Sequence, residues 1–342
     1  MYDVIVIGSG PAGSAAAKTL ADMGYRVLIV ERFKLPRYKS CSGVLIKKSM
    51  TEVERYFGEK TPDFVMCLPK DNRGMIFTND AGEEYRFEQE GVNVWRSSFD
   101  NWLVNKAVDS GAELFDGVSA VSSETCEDGV LVALKRGEET FVEEAKYVID
   151  AEGVTGLFKR SLIGRDKDFV TTFQTYVKGS IELDHHYFYA YLQPELSEYD
   201  AWFNVKDGML VLGVAALDRN RIPTYYKNFI NYMTSRHGLI IEEELKKDTW
   251  IMPRIKEGCK IEHGVGRVLF AGETAGFLNP MGEGISAAME SGYLAGAAVS
   301  KYFGESEKVI KEYESSTKEL REYMSRQWKL LSYMSERFKN MR

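Results

Sequence analysis

Near the start of the chain, Gly8-Ser9-Gly10-Pro11-Ala12-Gly13 has the spacing Gly-x-Gly-x-x-Gly, and the acid Glu31 follows it. Residues of these types can hold the pyrophosphate of a dinucleotide. Gly8 permits a tight strand-to-helix turn, Gly10 lets the backbone approach a phosphate with no Cβ in the way, and Gly13 allows close helix-to-strand packing. Free N–H groups at the start of a helix opened by Pro11 and Ala12 then face the phosphates. Glu31 can accept both hydroxyls of a ribose, and its charge disfavours the 2′-phosphate of NADP. These residues alone do not separate NAD from FAD.

A second group does. Gly266 to Gly276, with Gly272-Glu273 at its centre, reads as a buried strand running into a glycine turn. Pro280-Met281-Gly282-Glu283-Gly284-Ile285 then reads as a loop that starts a helix. With these two loops the chain resembles the geranylgeranyl reductase family, within the glutathione-reductase-type FAD proteins that also include the aromatic hydroxylases. The resemblance implies that the acid after Gly272 binds the ribityl chain of FAD. Family members have Asp there and this chain has Glu273, which keeps the carboxylate and adds a methylene. The Pro-x-Gly-x-Gly-type turn, through Gly282, Glu283, Gly284 and Ile285, implies a helix N-terminus at the flavin N1/O2 edge. Positive dipole there stabilises reduced flavin, which is anionic at N1. The turn resembles the reductase form rather than the hydroxylase form, which usually has Asn near that point.

The resemblance assigns further residues. Arg96 stands where relatives place an Arg against the FAD phosphate or ribose; a surface ion pair with Asp100 is the alternative. Arg32 follows Glu31 as in many relatives. Asp150-Ala151-Glu152-Gly153, with Thr155 and Arg160, is similar to the group's D-x-D-G-x-x-S-x-x-R segment. The loop Pro36 to Gly43 is similar to P-x-x-x-x-C-G-G, which puts Cys41, Ser42 and Gly43 near the isoalloxazine. Cys41 is then either a thiol that positions or protonates substrate, or an inert small residue. Arg32, Lys34, Arg37 and Lys39 would lower its pKa if they converge on it. Tyr199, Trp202 and Phe203, ahead of a glycine-rich strand, are similar to the family's aromatic substrate strand, with the Trp displaced by one and its Pro missing.

The elements that position these residues follow from periodicity. Asp3 to Ile7 and Arg26 to Val30 are buried strands flanking an Ala-rich helix from Pro11 to Met23, a βαβ unit. Tyr147 to Ile149 and Arg267 to Phe270 are further buried strands, and Glu283 to Phe303 is a helix of small residues. Hairpins are expected at Met75 to Thr78 with Glu84 to Phe87, and at Val130 to Lys135 with Thr140 to Val142. Residues 168 to 255 are dense in aromatic and β-branched residues and read as a sheet. From Glu305 to Arg342 neither Gly nor Pro occurs, and apolar residues recur at helical spacing. The expected architecture is a three-layer α/β FAD/NAD(P)-binding (Rossmann-like) domain (1–70, 96–165 and 260–305). It carries an inserted antiparallel β substrate region (71–95 and 166–259) and a C-terminal helix (306–342) that packs on the domain or mediates a dimer.

Composition narrows the function classes. The 342 residues carry a net charge of −7, so no basic excess exists to displace counterions from nucleic acid. No stretch reaches the roughly 20 apolar residues of a membrane span. The N-terminus does not read as a signal peptide, and the protein is expected in the cytoplasm, with peripheral membrane contact left open. Cys41, Cys67, Cys126 and Cys259 form no CxxC or zinc-like spacing, so neither a bound metal nor a redox dithiol is expected. By resemblance, the function is FAD-dependent reduction of C=C bonds in an isoprenoid or similarly apolar lipid substrate. A ferredoxin-like carrier or a transient nicotinamide would bring the electrons. The competing readings are a monooxygenase or halogenase-like enzyme on the same scaffold and a non-catalytic prenyl-binding carrier.

Overall fold

The β-branched runs Tyr2–Ile7 and Val27–Glu31 pair in parallel, with Ile5 opposite Leu28 and, on its other side, Val148. Val4, Ile5 and Val6 are all fully buried, so both faces of this strand are covered, as a parallel sheet requires. This is a computed structural model describing residues 1–164, 169–254, 260–280 and 282–340. Cys259 and Met281 lie outside the described residues.

The first sheet runs, in parallel order, Val268–Phe270, Glu139–Asp150, Tyr2–Ile7, Val27–Glu31 and Glu113–Asp116. An antiparallel ribbon, Ser119–Thr125 with Val130–Arg136, continues from Glu139–Asp150, and its Val130, Val132 and Leu134 join the same core. The helices Pro11–Asp22, Arg96–Asp109 and Ile285–Lys301 pack together as another layer. The C-terminal ends of the parallel strands, Ile7, Glu31 and Asp150, thus come to one edge, the usual place for a ligand in such a sheet.

The second sheet has eight strands, in the order Ile240–Pro253, Phe169–Ser180, Met209–Ala216, Ala201–Lys206, Tyr187–Tyr191, Met66–Thr78, Glu84–Val94 and Val44–Ile46. All its pairs are antiparallel except Tyr187–Tyr191 on Met66–Thr78. The hairpin expected at 75–87 is the tip of two longer strands. Val44–Ile46 and Met66 to Lys70 stand in this sheet although they fall within 1–70.

The region read as all sheet also contains the helix Ile222–His237, with Pro223 in its first turn and Gly238 closing it in the left-handed region. Its Tyr225, Phe229 and Met233 recur every four residues and cover one face of the second sheet. Aromatic density overrode that period in the sequence reading.

The C-terminal segment is three helices rather than one: Ser306–Ser316, Lys318–Met334 and Glu336–Asn340. Its breaks come from tertiary partners. Thr317 is buried and its hydroxyl lies 2.8 Å from His263 Nε2. At Ser335 the backbone is extended, and Asp80, from the hairpin turn, accepts Ser335 Oγ (2.6 Å) and the Glu336 N–H (2.9 Å). Asp80 therefore serves as the N-cap of the last helix from a distant part of the chain. The buried face packs on the body of the protein through Leu320, Trp328, Leu331 and Phe338. Among the described residues, no helix is long and apolar enough to cross a membrane.

Candidate active site

A cavity of about 580 Å³ lies between the two sheets. At one end it is walled by the first βα turn. Gly8 ends its strand at φ +96°, and a Cβ there would stand 2.5 Å from the Ala151 carbonyl. Gly10, Pro11 and Ala12 line the cavity, whereas Gly13 is packed behind them against Gly8. Helix Pro11–Asp22 has no side-chain cap, so its first N–H groups remain available to an anion. Arg32 and Glu31 line the same end. Glu31 Oε2 accepts Ser9 N–H (3.1 Å), Ser9 Oγ (2.7 Å) and Arg37 Nε (3.2 Å). Among the described residues Oε1 takes only the Phe33 N–H (3.0 Å), which leaves it room to accept another donor.

Arg96 is not a surface pair. It is 5% exposed and holds the 1% exposed Asp100 with two bonds, 2.7 and 2.9 Å. Arg37 then bridges Asp100 (3.1 Å) to Glu31, so one buried network runs from the end of the strand Val27–Glu31 to the helix Arg96–Asp109. Burial alone would raise the Asp100 carboxyl, but the guanidinium of Arg96, followed by that of Arg37, holds it below the usual carboxylate range. The bridging role of Arg37 was not legible in the sequence, where it appears as one of several basic loop residues.

Cys41, Ser42, Lys39 and Ser40 also line the cavity. The basic residues expected around Cys41 do not converge as a group. Lys34 is exposed and pairs with Asp116, Arg37 serves Glu31 and Asp100, and Arg32 lies over the Phe33 ring. Arg96 and Lys206 take their place, with Lys39 contributing less. Burial pushes the thiol up, yet these cations and the Gly43 N–H, 3.4 Å from Sγ, bring it below its ordinary value. Gly43 itself packs behind the wall. Lys206 is 1% exposed in an otherwise buried strand and was missed; a lone Lys ending Ala201-Trp202-Phe203-Asn204-Val205 was its signal.

The second glycine loop meets the first across the cavity. The Gly272 N–H donates to Ser291 Oγ (3.0 Å), and Glu273 lines the cavity with its carboxylate 3.8 Å from Lys39 Nζ. Gly282, Gly284 and Ile285 line it too. Glu283 caps the helix they begin, accepting Ser286 N–H (2.7 Å), Ser286 Oγ (2.6 Å) and Ser49 Oγ (3.1 Å). Asp150 is fully buried, and burial, followed by the charge of Glu152, pushes its carboxyl well above the usual range. Glu152 itself lines the cavity and accepts the Phe158 N–H at 2.7 Å. Thr155 also lines it, and Arg160 donates to the Thr155 carbonyl.

The cavity also has an apolar lining, in which Phe77, Leu192, Tyr199, Trp202, Leu278 and Phe338 belong to one cluster with Phe188 packed against it. Trp202 and Phe203 are neighbours on one strand and so point to opposite faces. Trp202 reaches the cavity, whereas Phe203 is fully buried behind the sheet against Tyr189 and the helix Ile222–His237. His186 is a polar loop end paired with Asp71.

The model of the FAD binding domain family matches residues 1–198. The chain belongs to that family. This FAD-binding chain is an FAD-dependent oxidoreductase, and the two loops facing one cavity suit its cofactor. It is 27% identical over 324 residues to digeranylgeranylglycerophospholipid reductase of Methanocaldococcus jannaschii, covering 88% of this chain and 77% of the relative. A solved geranylgeranyl bacteriochlorophyll reductase-like protein of Thermoplasma acidophilum superposes with a TM-score of 0.84 at 20% identity, covering 97% of this chain and 87% of that one. A flavin-dependent halogenase superposes at 0.76 with 20% identity, over 100% of this chain and 67% of the other. These likenesses establish the expected α/β FAD fold with its second sheet.

Proposed function

We propose that this oxidoreductase reduces carbon–carbon double bonds of an isoprenoid or similarly apolar lipid. One observation carries the reading: the cavity lined by Cys41 and Glu273 is also lined by aromatic and aliphatic side chains that belong to one cluster. An apolar chain placed there loses water-exposed surface at about 25 cal/mol per Å². The relative named digeranylgeranylglycerophospholipid reductase supports the same class of substrate.

In this reading FAD is held by residues of both glycine loops. Gly8, Gly10, Pro11 and Ala12 receive the pyrophosphate, with Gly13 packing behind them. Glu31 accepts the ribose, while Arg32 and the Arg37–Arg96 network steady that end. Glu273 meets the ribityl chain, and Gly282, Glu283, Gly284 and Ile285 form the edge near the ring. Bound FAD supplies the hydride; the chain supplies position and exclusion of water. Cys41 and Ser42 would orient the alkene beside bound flavin, with Gly43 shaping their loop from behind, and Tyr199 and Trp202 would grip the apolar chain. Phe203 contributes only by supporting Trp202 from behind. Electrons come from a ferredoxin-like carrier or a transient nicotinamide, since Gly8 to Gly13 is already assigned to FAD.

The test is anaerobic. Chemically reduced, FAD-loaded protein is mixed with a polyprenyl alkene, flavin reoxidation is followed, and the product is weighed by mass spectrometry. Reoxidation with a gain of two hydrogens supports the proposal, and Cys41→Ala should slow that step with FAD still bound. Reduced protein that ignores polyprenyl compounds but hydroxylates or halogenates an aromatic substrate with oxygen would establish the monooxygenase reading instead. Tight prenyl binding without any reoxidation would make the protein a carrier.

A further inference from the structure

Lys206 is the most unusual buried charge among the described residues. Its ammonium donates to the carbonyls of Val94 (3.0 Å) and Cys41 (3.4 Å) and stands 4.4 Å from the centre of the Trp95 ring. No carboxylate pairs with it within the described residues. Asp207, next in sequence, is occupied by the Leu68 N–H (2.8 Å) and Trp95 Nε1 (2.6 Å). The loop is fitted to this ammonium: a Cβ on Gly43, at φ +68°, would come 2.5 Å from Lys206 Nζ and 2.1 Å from the Val94 carbonyl. Asn204, on the same face of the strand, donates to the Ser42 carbonyl at 3.5 Å. Two side chains of one strand therefore grip the backbone of residues 41 and 42.

Burying an ammonium against neutral acceptors alone is costly, and such a charge is normally compensated. Among the described residues, Arg37, Arg96 and Lys39 pair with Glu31, Asp100 and Glu273, whereas Lys206 makes no ion pair and has only the nearby charge of Asp207. Burial lowers the pKa of this ammonium, and the charges of Cys67, Cys41 and Asp207 work against that fall; the acidic group whose carbonyl it holds at the cavity wall is Cys41.

We propose that Lys206 is a positioning residue for Cys41, holding its loop through the backbone and placing there a positive charge that favours the thiolate. The proton leaves to solvent, and no oxidant is involved. The inference rests on the reading that Cys41 works beside the flavin, and of the two roles open to a thiol there, positioning or protonating substrate, it selects the first. A thiolate orients and polarises but does not donate the proton an alkene needs, so that proton comes from water. The groups that face Cys41 are Arg96 with its partner Asp100, Lys206 with Asp207 beside it, Lys39 from its own loop, Cys67 from the strand Met66–Thr78, and Tyr176 from Phe169–Ser180. Burial pushes Cys67 up to about 11 and Tyr176 to about 12, so both are neutral near pH 7 and Cys41 is the acid that can respond.

The experiment is alkylation of the full-length, FAD-loaded protein by iodoacetamide as a function of pH, with modification of Cys41 read by peptide mass spectrometry. The wild-type midpoint is expected below the ordinary thiol value of about 8.5. Lys206→Gln keeps a donor for the Val94 carbonyl but removes the charge, and should raise the midpoint by about one unit, a tenfold loss of thiolate below it. Lys206→Met should shift it the same way. A wild-type midpoint at or above the ordinary value, which needs no variant to be folded, overturns the proposal; so does a midpoint that neither variant moves. The oxidised flavin spectrum separates this from the larger reading. A thiolate against the ring gives a long-wavelength charge-transfer shoulder that titrates with the alkylation midpoint. If the midpoint moves as expected but no shoulder exists, Lys206 controls Cys41 and the placement of Cys41 against the flavin fails. If the shoulder exists and is indifferent to Lys206, the placement stands and the proposal for Lys206 fails.

Discussion

Replacing Asp100 by Asn removes one charge from the centre of the Glu31–Arg37–Asp100–Arg96 network without changing side-chain volume. Asp100 is 1% exposed and Arg96 is 5% exposed, so the arginine left behind cannot turn into water. Two unit charges about 4 Å apart attract by about 4 kcal/mol at an effective dielectric constant of about 20. Breaking one side of a buried pair costs about 3–5 kcal/mol in measured cases. Both routes give a loss of about 4 kcal/mol, measurable as a drop in unfolding free energy in urea at pH 7. The pH dependence has a definite sign. Arg96 holds the folded-state pKa of Asp100 below its unfolded value of about 3.9, so its stabilisation is fully present above that value. It disappears as the pH falls through the lower folded value. The gap between wild type and Asp100→Asn should therefore persist from about pH 5 to 8 and close only in stronger acid. A loss under about 1 kcal/mol, the size typical of a surface pair, would refute the reasoning.

Denatured protein should release FAD and no FMN, measured by chromatography, because the first glycine loop and Glu31 form a site for the adenosine half. Glu31→Gln should weaken FAD binding by about 1.5–3 kcal/mol through loss of a charge-assisted bond to the ribose, read by fluorescence titration; unchanged affinity would remove Glu31 from that role. Glu273→Asp should keep the flavin while Glu273→Leu loses it on gel filtration, and full occupancy in the Leu variant would remove the ribityl assignment. Trp202→Ala should raise KM for an apolar substrate, whereas Phe203→Ala should cost about 3–5 kcal/mol of stability with KM unchanged. An altered KM in the stably folded Phe203 variant would contradict the opposite facing of the two side chains.

The N-terminal βαβ unit and the two glycine loops were legible in the sequence because their signals are local. A run such as Val4 to Ile7 can be buried on both faces only in a covered parallel sheet, and the spacing of Gly8, Gly10 and Gly13 is dictated by one turn. The alternation that separates Trp202 from Phe203 is also present in the sequence, but which of the two meets the cavity depends on the helix Ile222–His237 covering the other face. The break at Ser335 is invisible to helical periodicity, since it is made by Asp80 from a hairpin far away in the chain. The partners of Cys41 are of the same kind. Basic residues adjacent to it in sequence were drawn off by Asp116, Glu31 and Asp100, while Arg96 and Lys206 arrive from a helix and a strand of their own. Sequence determined which residues could bind a dinucleotide, because a backbone turn is decided by neighbours along the chain. Tertiary structure alone decided the charge around the thiol, because burial and pairing depend on what long-range packing brings within a few ångströms.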